Sequence, residues 1–221
     1  MKTRTLKQII KDEWLVNRVR DANVLHVGCT DWPLTAERLR NGRLLHQKMC
    51  ASSKHCVGID LDGDGIRELK KLMPDHEFHE INAESIPESS VICNQKWDII
   101  VAGDVVEHMD NPGMFFRTAR RLLNHEGTLI VTVPSSFSAK RFFWLSLTGI
   151  EQVHPDHTAY FSEATLTQIA NRSGFKIVEI YGFQWTNPTF KNRFSNLLCM
   201  PFLWLSGGRC ADEVAVVLKP V

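Results

Sequence analysis

Residues 24–32 read VLHVGCTDW, a short apolar run that stops at Gly28 and gives way to turn-forming residues. Such a run is apolar on both faces and too short for a helix, as expected of a strand buried in a parallel sheet. Working outward, similar runs recur at Cys56–Asp60, Glu77–Ile81, Trp97–Ala102, Thr128–Val133, Phe175–Ile180 and Val214–Leu218. Helical patterns lie between them. Asn111 and Pro112 read as N-cap and first helical residue, with Phe115, Ala119, Leu122 and Leu123 on one face and Gly127, after His125, as the stop. A second helix is expected to start at Ser162, to carry Leu166, Ile169, Ala170 and Ser173 on one face, and to stop at Gly174. This alternation predicts an α/β fold: a doubly wound, mainly parallel seven-stranded sheet with helices on both faces, and ligands at the carboxyl ends of its strands. Residues 135–160 and 184–211 break the alternation and are rich in aromatics. They are expected to form a small irregular or helical lobe over the site, within a single domain spanning 1–221.

Composition narrows the classes. The chain has 221 residues, 43% of them hydrophobic, enough for a sizeable core. Its 26 Lys and Arg face 25 Asp and Glu, so the net charge is +1. No basic excess draws it to a phosphate backbone, which argues against a general nucleic-acid binder. The six cysteines form no C-x-x-C pair, so a zinc site built on close cysteine spacing is not supported. The opening MKTRTLKQIIKDEW is basic but has no apolar signal core. The longest apolar stretch, Leu197 to Leu205, contains Pro201 and falls far short of a bilayer span. The expectation is a reduced, cytoplasmic protein.

Three features fall in order at successive strand ends. Gly28 lets the backbone approach a ligand closely. Asp60 ends the second strand, where a carboxylate can accept both hydroxyls of a ribose, while Asp62 and Asp64 can serve as helix caps. In INAESI, Asn82, Ala83 and Glu84 suit the edge of a purine or, equally, a helix cap. With WDIIVAGDVVEHMDNP (97–112), this set resembles class I S-adenosylmethionine-dependent methyltransferases. More narrowly it is similar to their small-molecule branch in bacterial glycan, lipid and natural-product pathways. The resemblance runs from Asn23 to Gly182 and takes in LLNHEGTLIVTVP and HPDHTAYFSEATLTQIANRSGFKIVEI.

The resemblance implies a Rossmann-like fold, S-adenosylmethionine as cofactor and its product S-adenosylhomocysteine. Gly28 would face the methionine moiety, and Asp60, with Leu61 beside it, the ribose. Ala83 and Glu84, after Asn82, would border the adenine. Gly103, Asp104 and Val105 would lie beside the methionyl part and the transferable methyl, and Glu107 and His108 match the family's E-H pair. Two departures stand out. His26 replaces the usual acidic residue, and Thr30, Asp31 and Trp32 fill a loop that usually carries further glycines. The G-x-G-x-x-G of nicotinamide binding is absent.

Methyl transfer from a sulfonium is an in-line displacement, so the protein must place the acceptor and, for a hydroxyl, take up a proton. Histidine suits that task near neutrality. His157, His108 and His154 are the candidates, His157 first because the resembling branch places a histidine there. Their alternatives are structural roles, or a metal held by Glu151, His154 and His157, which Pro155 disfavours. KRFFWLSLTGI (140–150) and FSNLLCMPFLWLSGG (194–208) suit an acceptor pocket or a surface meeting a lipid-linked substrate. Apolar runs are more often core, and that reading is preferred here. Lys140, Arg141, Lys191 and Arg193 flank these runs, either to meet an anionic headgroup or phosphate or simply to face solvent. The function expected is methylation of a hydroxyl on a saccharide, lipid or natural-product scaffold. Peripheral membrane contact is compatible with it; a nucleic-acid partner and a transmembrane segment are not expected. The alternatives are a non-catalytic methyltransferase-like module and, less supported, a nucleic-acid or protein methyltransferase. For the amino-group branch the N-P-P-Y-like tetrapeptide is missing, with GDVV in its place.

Overall fold

A computed structural model describes residues 10–184 and 190–221, with side chains from Asn196 onward in the second stretch. The expectations on Met1 to Ile9, on 185–189 and on the side chains of Lys191 and Arg193 lie outside the described residues. Seven strands form one sheet: β1 (Asn23–Val27), β2 (His55–Asp60), β3 (Glu77–Glu80), β4 (Trp97–Gly103), β5 (Leu123–Pro134), β6 (Phe175–Phe183) and β7 (Glu213–Pro220). Their order is β3-β2-β1-β4-β5-β7-β6, with the first five pairing in parallel and β7 antiparallel to both β5 and β6. The described helices are α1 (Lys11–Arg18), α2 (Thr35–Arg40), α3 (Leu45–Cys50), α4 (Gly63–Leu72), α5 (Pro112–Leu122), α6 (Ala139–Thr148), α7 (Glu163–Arg172) and α8 (Phe190–Leu205). The doubly wound sheet and all seven expected strands are present.

The central strands are mostly apolar because both faces of the sheet are covered there. Leu25, Ile100, Leu129 and Val131 pack with Phe115, Phe116 and Leu166 of α5 and α7. Their neighbours Val24, Val101 and Ile130 point the other way, onto Trp14 and Leu15 of α1 and Met49 of α3. The alternation follows from the two-residue pleat. The chain winds outward from β1 to β3, then returns to place β4 on the other side of β1. At that switch the connections leave in opposite directions, opening a crevice at the carboxyl ends of β1 and β4.

The expected caps are in place. The Asn111 side chain accepts from the Met114 amide with Pro112 at the first turn, and Ser162 caps α7 in a reciprocal pairing with Thr165. Gly174 follows α7 with φ +75°. The stop expected at Gly127 is not found. The α5 helix ends at Leu122, and Leu123 enters β5 directly, paired with Trp97. Gly127 lies inside that strand, where a Cβ would come 2.9 Å from the Trp97 carbonyl oxygen, so its lack of a side chain serves close strand approach.

Of the two irregular stretches, α6 and α8 are helical and pack on one another. At their base Ser138 Oγ donates to Asp212 Oδ1 at 2.8 Å, and Lys140 Nζ donates to Asp212 Oδ2 at 2.6 Å. Both Lys140 and Asp212 are buried.

Candidate functional site

A cavity of about 620 Å³ opens at the switch between β1 and β4. Its wall includes Gly28, Asp60, Leu61, Asn82, Ala83, Glu84, Gly103, Asp104, Val105, His108 and His154. Eleven of the twelve expected site residues thus line one crevice, although they are spread over more than half the chain. His157 stands behind the wall, its ring 4.6 Å from that of His108.

The turn after β1 depends on Gly28. Its φ of +77° is left-handed, and a Cβ there would lie 2.1 Å from Val105 Cγ2. Val105 therefore fills the space a side chain would need. Gly103 is less constrained, since an added Cβ would meet only ordinary contacts, the nearest at 3.6 Å.

The bulkier loop that replaces the expected glycines folds back onto Asp60. Thr30 donates to Asp60 Oδ2 twice, from its amide at 3.0 Å and its hydroxyl at 2.8 Å. Asp60 Oδ1 accepts from the Asp62 amide at 3.0 Å. A carboxylate oxygen has room for two donors, so Oδ1 keeps an acceptor position at the cavity wall. Asp62 takes the capping role on α4, accepting from the Gly65 amide. The two aspartates divide the tasks that sequence reading left open between them. Asn82 Oδ1 accepts from the Glu84 amide at 2.8 Å, which shapes the INAESI turn. The Glu84 carboxylate accepts from the amides of Asp110 at 3.3 Å and Asn111 at 2.5 Å, bracing the entrance to α5.

On the other side, Asp104 has φ +54° and is held from three directions. Its amide donates to the Thr132 carbonyl and its Oδ1 accepts from Thr132 Oγ1, both at 2.9 Å, while Lys11 Nζ donates to Oδ2. Lys11 also pairs with Glu213 at 3.0 Å. Burial alone would pull the Lys11 ammonium down, but Asp104 and Glu213 outweigh it and hold its pKa above the ordinary value. Glu107 lies just beneath, buried, with no hydrogen-bond partner on either carboxylate oxygen among the described residues. Burial first, and then the charge of Asp104, push its pKa up to about 8, so it is largely protonated at neutrality.

Sequence reading missed Lys11, because nothing in the α1 sequence marks a lysine that must reach across to β4 and β7. It found Glu107 as half of a motif but had no means of seeing its burial.

His26, where an acidic residue is usual, is pulled down to about 4 by burial, against an opposing pull from Asp60. Its Nδ1 lies 3.1 Å from His46 Nδ1, and His46 Nε2 is 3.3 Å from Cys50 Sγ. His26 and His46, both in the cavity wall, thus place a hydrogen-bonded pair of rings where burial disfavours charge.

The three candidate histidines come together. His108 and His154 rings are 5.8 Å apart and His154 and His157 rings 5.2 Å, with donor nitrogens of all three within 4.8 Å of one another. Glu151 is not part of this group; His108 takes its place. His108 Nδ1 lies 3.2 Å from the Asp156 carbonyl oxygen, which only accepts, so Nδ1 is the donor of that contact and Nε2 is left outside it. The His157 pKa is lowered by burial and then by the charges of His108 and His154, and its Nδ1 is buried without a partner among the described residues.

A family model described as a methyltransferase domain matches residues 4–180. A ubiquinone biosynthesis O-methyltransferase of Glaesserella parasuis is 23% identical over 183 residues, which cover 78% of this chain and 72% of that protein. Among solved structures, an S-adenosylmethionine-dependent methyltransferase from Clostridium acetobutylicum superposes with a TM-score of 0.59 at 10% identity, covering 95% of this chain and 88% of that one. Magnesium protoporphyrin IX methyltransferase from Synechocystis, solved with bound S-adenosylhomocysteine, gives a TM-score of 0.55 at 15% identity, covering 95% and 80%.

Proposed function

The chain belongs to the methyltransferase-domain family and is an S-adenosylmethionine-dependent methyltransferase; from that premise we propose that it methylates a hydroxyl of a small molecule, with His108 taking up the proton. The observation that carries this reading is a histidine whose Nδ1 is engaged by the Asp156 carbonyl, which leaves Nε2 as the nitrogen able to take up a proton, in the wall of the cavity that also holds Gly28 and Asp60.

The residues present fit the cofactor. The cavity lies in the size range of small-ligand sites, and the backbone at Gly28 has no Cβ to intrude. Asp60 Oδ1 has an acceptor position for a ribose hydroxyl. Ala83 and Asn82 border the place for the adenine, and Gly103 and Asp104 that for the methionyl part. When bound, S-adenosylmethionine supplies a methyl group on a sulfonium, an electrophile that needs no further activation.

The remaining work falls to the chain's own side chains. His108 Nε2 accepts the acceptor hydroxyl's proton, and the lowered pKa of His157, caused first by burial and then by His108 and His154, disfavours a second positive charge beside it. His154, also in the wall, flanks the acceptor's place. Lys11 sets a positive charge against Asp104 and Glu213. The name of the Glaesserella relative, an O-methyltransferase, supports oxygen as the atom methylated. A cytoplasmic setting, expected from cysteine usage, belongs to the same proposal.

The test is transfer of a radiolabelled methyl group from S-adenosylmethionine to a panel of catechols, phenols and sugars. His108→Gln should lower the rate by roughly 100-fold or more while leaving S-adenosylhomocysteine binding unchanged. Equal rates in the two proteins would remove His108 from this role.

A further inference from the structure

We propose that His46, Cys50 and Cys56 bind a zinc ion behind the cavity wall. The site is independent of the methyl-transfer reading.

The chain has no C-x-x-C pair, but the fold assembles a different donor set. His46 and Cys50 stand four residues apart on α3, so they project from the same side of that helix. Cys56 is the second residue of β2, against which α3 packs. His46 Nε2 lies 3.3 Å from Cys50 Sγ, and Cys56 Sγ is 4.0 Å from Nδ1 of the same ring. The Cys50 and Cys56 thiols are in hydrogen-bond contact. One ligand atom from each of the three residues falls within 4.8 Å of the other two. Around a tetrahedral zinc, bond lengths of about 2.3 Å to sulfur and about 2.0 Å to nitrogen put neighbouring ligand atoms roughly 3.5–3.8 Å apart. Side-chain movements of about 1 Å close the difference.

The backbone makes room for this cluster. His46 is buried, and its ring sits over Gly58 of β2, where a Cβ would come 2.9 Å from His46 Cε1. A side chain on that strand residue would displace the imidazole. On its far side, His46 Nδ1 faces His26 Nδ1 at 3.1 Å. With Nε2 on a metal, Nδ1 keeps the ring proton and donates it to His26, the kind of outer contact that orients a ligating imidazole. Burial pushes the His46 pKa well below its ordinary value, so the ring is neutral, the form that coordinates. A disulfide would need only the two thiols; the imidazole beside them adds a third ligand.

Charge and softness choose the ion. Zinc takes the place of the two thiol protons, which leave to solvent, so a dication meets two thiolates and a neutral ring with no net charge left in the core. Two sulfurs and a nitrogen suit zinc, whereas magnesium and calcium take oxygen. Cys50 is partly exposed, which gives an entry path and a place for water as fourth ligand. The ion pins α3 to β2 and, through His26, to β1. His26 and His46 also lie in the wall of the cavity that holds Gly28 and Asp60, so the zinc stiffens that wall from behind.

The experiment is titration of the reduced full chain with Co²⁺, followed by competition with Zn²⁺. The expected result is about one Co²⁺ per chain, a thiolate-to-cobalt charge-transfer band in the near ultraviolet, the visible bands of a tetrahedral ion, and displacement by Zn²⁺. Cys50→Ser, at a partly exposed position, should weaken Zn²⁺ binding by about a hundredfold or more, since loss of an outer contact alone costs about 10–100-fold. Cys56→Ala, which leaves a small apolar group in the core, should do the same. Unchanged melting temperatures without metal confirm that the variants fold. Absence of the charge-transfer band in the wild type, or its persistence in both variants, overturns the proposal. So does cobalt bound without thiolate absorption and lost in His154→Ala, because the ion then sits on His108, His154 and His157. Metal binding is read without cofactor or acceptor, so its failure leaves the methyl-transfer reading standing.

Discussion

Replacing Glu107 by glutamine should make the fold less sensitive to alkaline pH. Glu107 is 1% exposed, and neither carboxylate oxygen has a hydrogen-bond partner among the described residues. Its pKa in the fold is about 8, against 4.5 for an ordinary glutamate. Below pH 4.5 both the folded and the unfolded chain hold the proton, and stability does not depend on this group. Between 4.5 and 8 the unfolded chain releases it while the fold retains it. The unfolded state then binds fewer protons, and stability falls as pH rises. Above 8 the full cost of the buried charge is present. At about 1.4 kcal/mol per pH unit the gap sets a ceiling of about 5 kcal/mol. Water entry and local relaxation lower this, and about 2 kcal/mol is the working expectation.

Glutamine has the same shape without the charge. It leaves an amide as poorly bonded as the acid, but that penalty is the same at every pH. The diagnostic is therefore the slope, not the offset. Denaturant melts of wild type and Glu107→Gln from pH 5 to 9 should diverge, the variant gaining about 2 kcal/mol relative to wild type across the range. In a chain of this size that is roughly 4–8 °C in melting temperature. Other titrating groups cancel in the difference. Parallel curves would refute the argument, because they would mean that Glu107 is either ionised at low cost or hydrated in solution.

S-adenosylhomocysteine at a hundredfold excess over its Kd should stabilise the wild type by about 2.7 kcal/mol, and Asp60→Ala should lose most of that shift while still melting cooperatively; an undiminished shift would detach Asp60 from the ribose. Gly28→Ala adds a Cβ 2.1 Å from Val105 Cγ2 at a positive φ. It should cost about 1–3 kcal/mol in a thermal or urea melt. Lys140→Met leaves the buried Asp212 carboxylate without its 2.6 Å ammonium partner and should destabilise by about 3–5 kcal/mol. Restoring stability with Lys140→Met/Asp212→Asn would show that the uncompensated charge is the cause.

The parts of this molecule that sequence reading reached are those governed by local rules. Strand runs, the Asn111–Pro112 start and the Ser162 cap depend on side chains within a few residues, and each is present. The cavity wall was also within reach, because a doubly wound sheet sends every strand end to one edge and residues such as Asp60 and Gly103 needed only to be counted to strand ends. Gly127 failed because glycine reads as a helix stop when no cross-strand neighbour is known; here the neighbour is the Trp97 carbonyl, 30 residues upstream. His157 was favoured over His108 on position in the chain. The Asp156 carbonyl, brought against His108 by the irregular chain after α6, is the contact that favours His108, and the sequence does not announce it.

The lobe marks a deeper limit. Hydrophobicity along a sequence reports what a segment would gain by leaving water, and it says nothing about what will cover it. The runs around Phe142 and Trp204 have the composition of a core, and core is the sensible reading when the only available cover is the chain itself. Yet α6 and α8 have too little partner surface: they meet one another and are anchored below through Lys140, Ser138 and Asp212, so most of their described apolar side chains stay outside. Burying an ion pair at the root while leaving aromatics at the tip reverses the usual order of folding preferences. It makes sense if the root must be rigid in water and the tip is to be buried by something other than this chain.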